Sequence, residues 1–414
     1  MTDIAGTVPV IAVDKVQAVA LAVCTYYFGV WLKGKVGVLS RYSIPGPVVG
    51  GMSFAIVVSF LEYFNIVKVQ IDSTLQTVLM LGFFTTIGLM ASLRVVKDGG
   101  RLILGFLLAV TVLVFLQNGM GMAIAEAMGF DKHYGILAGS VSMMGGLGTA
   151  AAFGPYFEET YGITGGTAVA VTAATFGMVA ALLIGGPFGE WCIRRYQVKT
   201  PDEVQQPEPE LHLPDDMDTD ITEQHASAKP NFTNEIMRAV SVTALAMGLG
   251  TIVSNYLGHY ITLPAYIGAM IVATVIRNVG DFSGMYKVEG KGLNAVADIT
   301  LVLFVTMAIN NLKLHELVHL ALPLVVILAC QTILMLIYAW TVLFTAFGRS
   351  YDAVMLSVGG IGFSMGATAN GLANMQAISE KYGSSPRAWL IVSVVGAFLI
   401  DLINAVVITW FGTL

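Results

Sequence analysis

Charge is what this sequence has least of. Only 12% of its 414 residues are Asp, Glu, Lys or Arg, about half of the roughly 25% usual in soluble domains. Hydrophobic residues make up 56%, and the mean hydropathy is +0.76. No water-soluble fold hides that much apolar surface, which excludes a soluble enzyme or a nucleic-acid-binding module. What remains is an all-α polytopic membrane protein with lipid as its solvent. Cysteine is scarce too: Cys24, Cys192 and Cys330 are scattered and form no CxxC pair, so neither a disulfide framework nor a thiolate metal centre is expected. The N-terminal "MTDIAGTVPVIAVDK" lacks a basic stretch ahead of the first apolar run, and that span is therefore expected to be retained rather than cleaved. A Walker motif is missing as well, which argues against ATP-driven transport within this chain. Finally, no lysine or arginine sits deep in an apolar run. An anionic solute would have to rely on backbone dipoles and co-bound cations.

Glycine, by contrast, is plentiful at 45 residues, as close helix packing in membranes favours. Apolar runs long enough to cross the hydrocarbon, about 20 residues each, are predicted at 14–33, 46–64, 75–93, 102–128 and 165–193. A second set follows at 237–257, 263–279, 294–312, 320–347 and 387–411. Each set has one glycine-rich apolar segment before its last span, at 134–157 and 351–378. The halves share ordered matches: "IPGPVVGGM" (44–52) with "LPAYIGAM" (263–270), "FFTTIGL" (83–89) with "LFVTMAI" (303–309), and "GGLGTA" (145–150) with "GGIGFS" (359–364). Their common order implies an internal duplication. Residues 1–195 and 237–414 are the two repeats. Between them, 196–236 is an acidic, proline-rich tether: ten acidic side chains and one lysine fall in 200–235, with almost nothing to bury.

Basic residues collect on the cytoplasmic side of membranes. If each glycine-rich segment enters and leaves by one face, all but Lys15, Lys68, Lys132 and Lys313 of the 21 lysines and arginines share a side. Each half then crosses five times, so the second is inverted relative to the first. Both termini are expected outside and the acidic linker inside. Ten transmembrane helices plus two re-entrant hairpins, opening from opposite faces, would meet near the midplane and build a solute site reachable from each side in turn.

Glycine pairs at the hairpin tips, Gly145, Gly146 and Gly148 with Gly359, Gly360 and Gly362, allow tight turns and close approach to a ligand. Free N–H groups at a half-helix start favour a carboxylate, and exposed carbonyls suit Na⁺. Ser142, Thr149, Ser364, Thr368, Asn370 and Asn374 add hydroxyl and amide groups there. The competing reading is helix packing through small residues. Asp401 lies 14 residues beyond Arg387, about 21 Å of helix at 1.5 Å per residue, hence near mid-membrane, where an acid is costly and usually functional. Asn404 follows on the same face. Gln117, Asn118 and Gln331 sit deep in long spans and either face the solute or join helices. A different class is raised by "HELVH" (315–319), which fits the HExxH zinc-protease pattern. Against it, Pro323 follows closely and no third ligand is apparent.

With "GGLGTAAAFGP", "GGIGFSMGATANGLANMQ" and "GAFLIDLINAVVI" in view, the chain resembles the bacterial sodium/glutamate symporter family. "LQNGMGM" (116–122), "ATFGMVAALLIGGPF" (174–188) and "ALPLVVILACQTILMLIYA" (321–339) agree. The resemblance implies a homodimer in the bacterial inner membrane, in contact with lipid, that moves L-glutamate inward with Na⁺ by elevator-like alternating access. It implies no cofactor beyond Na⁺ as coupling ion. The solute set is then Ser142, Gly145, Gly146, Gly148, Thr149, Gly359, Gly360, Gly362, Ser364, Thr368, Asn370 and Asp401. The sodium set is Gln117, Asn118, Asn374, Gln376, Asp401 and Asn404. Each net positive charge moving inward gains about 2.3 kcal/mol per 100 mV. The alternatives are a sodium- or proton-coupled carrier of aspartate, citrate or malate, and, outside the carriers, an ion channel.

Overall fold

The computed structural model describes residues 9–37, 39, 44–94, 100–201, 232–257, 265–284, 286, 290–314 and 319–414. Most of the acidic linker and four residues of HELVH therefore lie outside the described residues. The first half contains α1 (Lys15–Lys35), α2 (Gly46–Tyr63), α3 (Thr74–Met90) and α4 (Gly100–Ala127). A broken segment follows: α5 (Lys132–Ile136), a π-helical stretch (Leu137–Val141) and α6 (Gly146–Tyr161). The half ends with α7 (Gly166–Tyr196). The second half repeats this order with α8 (Phe232–Leu257), α9 (Ala265–Ser283), α10 (Lys291–Asn310) and α11 (Ala321–Tyr338), the last prolonged by π-helix at Ala339–Ala346. Its broken segment is α12 (Tyr351–Met365) and α13 (Thr368–Tyr382). The last helix is α14 (Pro386–Val394), π-helix Val395–Leu399 and α15 (Ile400–Gly412).

Every predicted apolar run falls on a helix. Among the described residues, seven helices are long and apolar enough to cross a membrane, and Thr74–Met90 and Ile400–Gly412 are shorter apolar helices. Local chemistry sets several ends. Asp14 caps α1 by accepting from the N–H groups of Val16 and Gln17, while its own N–H donates to Gln17 Oε1 at 3.1 Å, a reciprocal capping box. Ser350 caps α12 through the Ala353 N–H, and Ser385 with Pro386 starts α14.

One feature is absent from the sequence expectations. Val10–Val13 and Lys68–Ile71 (β1 and β2) form a two-stranded parallel ribbon with Val10 opposite Lys68. The four-residue strands are separated by more than fifty residues, so nothing local announces the pairing.

The helices pack into two groups, each drawn from both halves. One joins α1, α2, α3, α8, α9 and α10; the other joins α4 to α7 with α11 to α15 and contains both broken segments. The groups meet where α6 lies against the first, with smaller contacts from α7 and the last helix: a Cβ on Gly148 would stand 3.0 Å from the Phe83 ring, and Phe153 meets Tyr266 edge-on at 5.5 Å. That boundary is apolar and aromatic, with few directional bonds to hold one register.

Candidate functional site

The site is built from backbone that cannot stay helical. In the first segment Gly139 has φ −89° and ψ −128° inside the π-helical stretch, which takes the Ser140 N–H out of the helical ladder. Asn118 of α4 supplies the missing acceptor: its Oδ1 takes the Ser140 N–H at 2.9 Å. Asn404 of α15 donates to the Ser140 carbonyl at 3.1 Å. Ser142, fully buried, donates to main-chain oxygen, with the carbonyls of Leu137 and of Ala170 at 2.7 Å in reach. A buried polar group left unpaired costs about 1–3 kcal/mol, so these contacts hold a kink that propensity alone would not.

Gln117, next to Asn118, reaches the other broken segment, its Nε2 donating to the Ser364 carbonyl at 3.0 Å. Adjacent residues of one helix thus strap both segments. Gln331 of α11 donates to the Gln117 carbonyl at 2.7 Å. On the second segment, Asn370 and Asn374 donate to the carbonyls of Met178 and Ala181 on α7 at 2.8 and 3.0 Å, and Thr368 donates to the Gly396 carbonyl within the last π-helical stretch.

The two breaks touch. Gly146, first residue of α6, has φ +60°, and a Cβ there would stand 2.5 Å from the Gly366 carbonyl oxygen. The N-terminus of α13, at Thr368, follows Gly366 by two residues. Two half-helix N-termini therefore converge on one point, and their positive ends suit an anion. Asp401 is the second residue of α15, just past the π-helical stretch at Val395–Leu399, half-buried, with no hydrogen bond or ion pair to the described residues. Its carboxylate is uncommitted.

Three sequence expectations shift. Gly359, Gly360 and Gly362 do not form the second tip. They lie inside α12, and the break comes at Gly366–Ala367. There they serve packing: a Cβ on Gly359 would meet Met375 and Val392, one on Gly360 Leu343, and one on Gly362 the backbone of Gly371. Gln376 is exposed and donates to Glu380 at 3.0 Å, away from the centre. Ser142 and Asn374 already hold main-chain carbonyls. Gly145, Gly146, Gln117, Asn118, Ser364 and Asn404 come together around the breaks, whereas Gly148 and Thr149 continue into α6. The sequence reading missed Ser140, whose backbone is gripped from both sides; its only signal was its place in "GSVSMMGG".

The sodium/glutamate symporter family model matches residues 11–384. The chain belongs to that family. It is 37% identical over 400 residues to the sodium/glutamate symporter of Escherichia coli (strain K12), covering 95% of this chain and 96% of that protein, and equally similar to the one of Shigella flexneri. The symporter of Haemophilus influenzae is 34% identical over 395 residues, 94% and 95% of the two chains. This is a multi-pass membrane protein of a transporter family, not an enzyme, and the zinc-protease reading of HELVH falls with that.

Proposed function

We propose that the chain carries L-glutamate into the cell together with Na⁺. The observation that carries this is the junction of the two breaks, Gly146 against Gly366, strapped by Gln117 and Asn118. Irregular backbone at membrane depth survives only where protein or a wet cavity covers it. A junction of two half-helix N-termini suits a carboxylate, and Asp401 supplies a counter-charge for an ammonium group or a sodium ion. An amino acid with an acidic side chain has both kinds of group. Sodium supplies the positive charge that the spans lack.

The mechanism is alternating access. The helix group that contains both broken segments moves against the α1–α3 and α8–α10 group along the apolar α6 boundary, and the α1–α3 and α8–α10 group anchors a homodimer. The halves are inverted repeats, five crossings each, with re-entrant hairpins at the two broken segments. Both termini face outward from a bacterial inner membrane, and the acidic linker faces the cytoplasm. The repeated element order and the basic-residue bias support this topology.

The test is uptake of labelled glutamate into liposomes, with and without an inward sodium gradient, beside aspartate and citrate. Wild type should require sodium and prefer glutamate, and Asp401→Asn should lose most uptake. Sodium-independent uptake would remove the coupling, and a preference for citrate would replace the substrate.

A further inference from the structure

Six buried side-chain atoms around the breaks have no hydrogen-bond partner among the described residues: Gln117 Oε1, Gln331 Oε1, Ser364 Oγ, Asn118 Nδ2, Ser140 Oγ and Asn404 Oδ1. They divide by connectivity. Asn118 and Asn404 both bond the Ser140 backbone. That trio presents a free amide donor, a free amide acceptor and a hydroxyl, a set that one buried water or a polar solute group satisfies.

The other trio is different. Gln331 donates to the Gln117 carbonyl, and Gln117 donates to the Ser364 carbonyl. An amide oxygen lies beside its own nitrogen, so Gln331 Oε1 is held next to the Gln117 main chain and Gln117 Oε1 next to Ser364. All three side chains are at most 1% exposed. Their uncommitted atoms are two oxygens that can only accept and one hydroxyl whose oxygen accepts as well. Main-chain carbonyls lie alongside. Hard cations take oxygen ligands of this kind. Amide and hydroxyl oxygens are neutral, a set that suits a monovalent ion better than a divalent one.

We propose that Gln117, Gln331 and Ser364 form a Na⁺ site of neutral oxygens at the back of the second break, separate from Asp401. The proposal rests on the symport reading and adds Gln331 and a task. Ser364 is two residues before Gly366, the residue that meets Gly146. An ion drawing the Gln117 and Ser364 oxygens together stiffens the second break from behind and couples sodium to closure of the junction. Gln117 and Gln331 occupy the fourth long helix of their respective halves, so one glutamine from each repeat contributes.

The experiment uses the purified full-length protein in lipid nanodiscs, without glutamate, titrated with NaCl at constant ionic strength and followed by thermal unfolding. Wild type should be stabilised saturably by Na⁺ and not by K⁺. Gln331→Leu and Ser364→Ala should each raise the half-saturating Na⁺ at least ten-fold and raise the sodium requirement for uptake in parallel, and Gln331→Leu should leave glutamate affinity at saturating Na⁺ near wild type. Ser364→Ala removes one hydroxyl from a helix and keeps the test usable if Gln331→Leu does not fold. Folded variants with wild-type half-saturation would overturn the site, as would equal stabilisation by K⁺. Uptake by wild type that ignores sodium would instead refute the symport reading, whatever the glutamines do.

Discussion

Replacing Gly146 with alanine probes the junction of the two breaks. The residue has φ +60°, and the added methyl would stand 2.5 Å from the Gly366 oxygen. An L-residue in the left-handed region costs about 1–2 kcal/mol. The contact adds roughly 1–3 kcal/mol of overpacking unless the tips separate. Separation relieves only the second cost, so the joined tips lose at least about 1 kcal/mol, and about 2 kcal/mol at the middle of the range, relative to parted ones. At 1.4 kcal/mol per factor of ten, 2 kcal/mol lowers their population about thirty-fold. Glutamate uptake in proteoliposomes at subsaturating substrate should fall by about that factor, with yield and monodispersity of the purified protein unchanged. Gly119→Ala is the control: that glycine is exposed on α4, two residues beyond Gln117, with nothing within 4 Å of its Cβ position, and it should transport like wild type. Wild-type uptake by Gly146→Ala would refute a working cycle in which the tips close on each other.

Asn374→Ala should destabilise the protein by about 0.5–1.5 kcal/mol in thermal unfolding, because it removes the buried hydrogen bond that Asn374 donates to the Ala181 carbonyl at 3.0 Å. Gln376→Ala, two residues on, should be silent, since that side chain is exposed and bonds only Glu380; a loss of transport there would restore it to the sodium set. Lys381 pairs with Glu190 at 2.6 Å across exposed surface. Such pairs contribute little, so Lys381→Ala should leave the melting temperature near wild type at moderate salt, and a large drop would mean that this pair fixes α13 to α7.

The apolar runs were legible because lipid demands length and apolarity, and each predicted run lies on a helix. The first tip was legible for a related reason: Gly146 needs its positive φ, and "GGLG" marks it. "GGIG" looks the same on paper but serves another purpose, letting α12 approach α13 at Gly362 and Gly371. The true break at Gly366 carries no paired-glycine signal. Gln376 was separable in principle. Asn370 and Asn374 are four apart and share the face toward α7, and a residue two positions further falls on another face. Ser140 and the β1–β2 ribbon were beyond reach, because each depends on partners distant in sequence. Ser140 owes its role to Asn118 and Asn404, 22 and 264 residues away.

Ala367 offers the most direct look at the junction. It is half-buried, sits in extended backbone at the break, and is small. With Cys24, Cys192 and Cys330 replaced and Ala367→Cys introduced, a membrane-impermeant thiol reagent should label the residue from the outside under one set of gradients and from the inside under the reverse. Sodium with glutamate should slow labelling from both. Labelling from one side only under every gradient, at a rate indifferent to sodium and glutamate, would contradict a solute site enclosed by the two breaks.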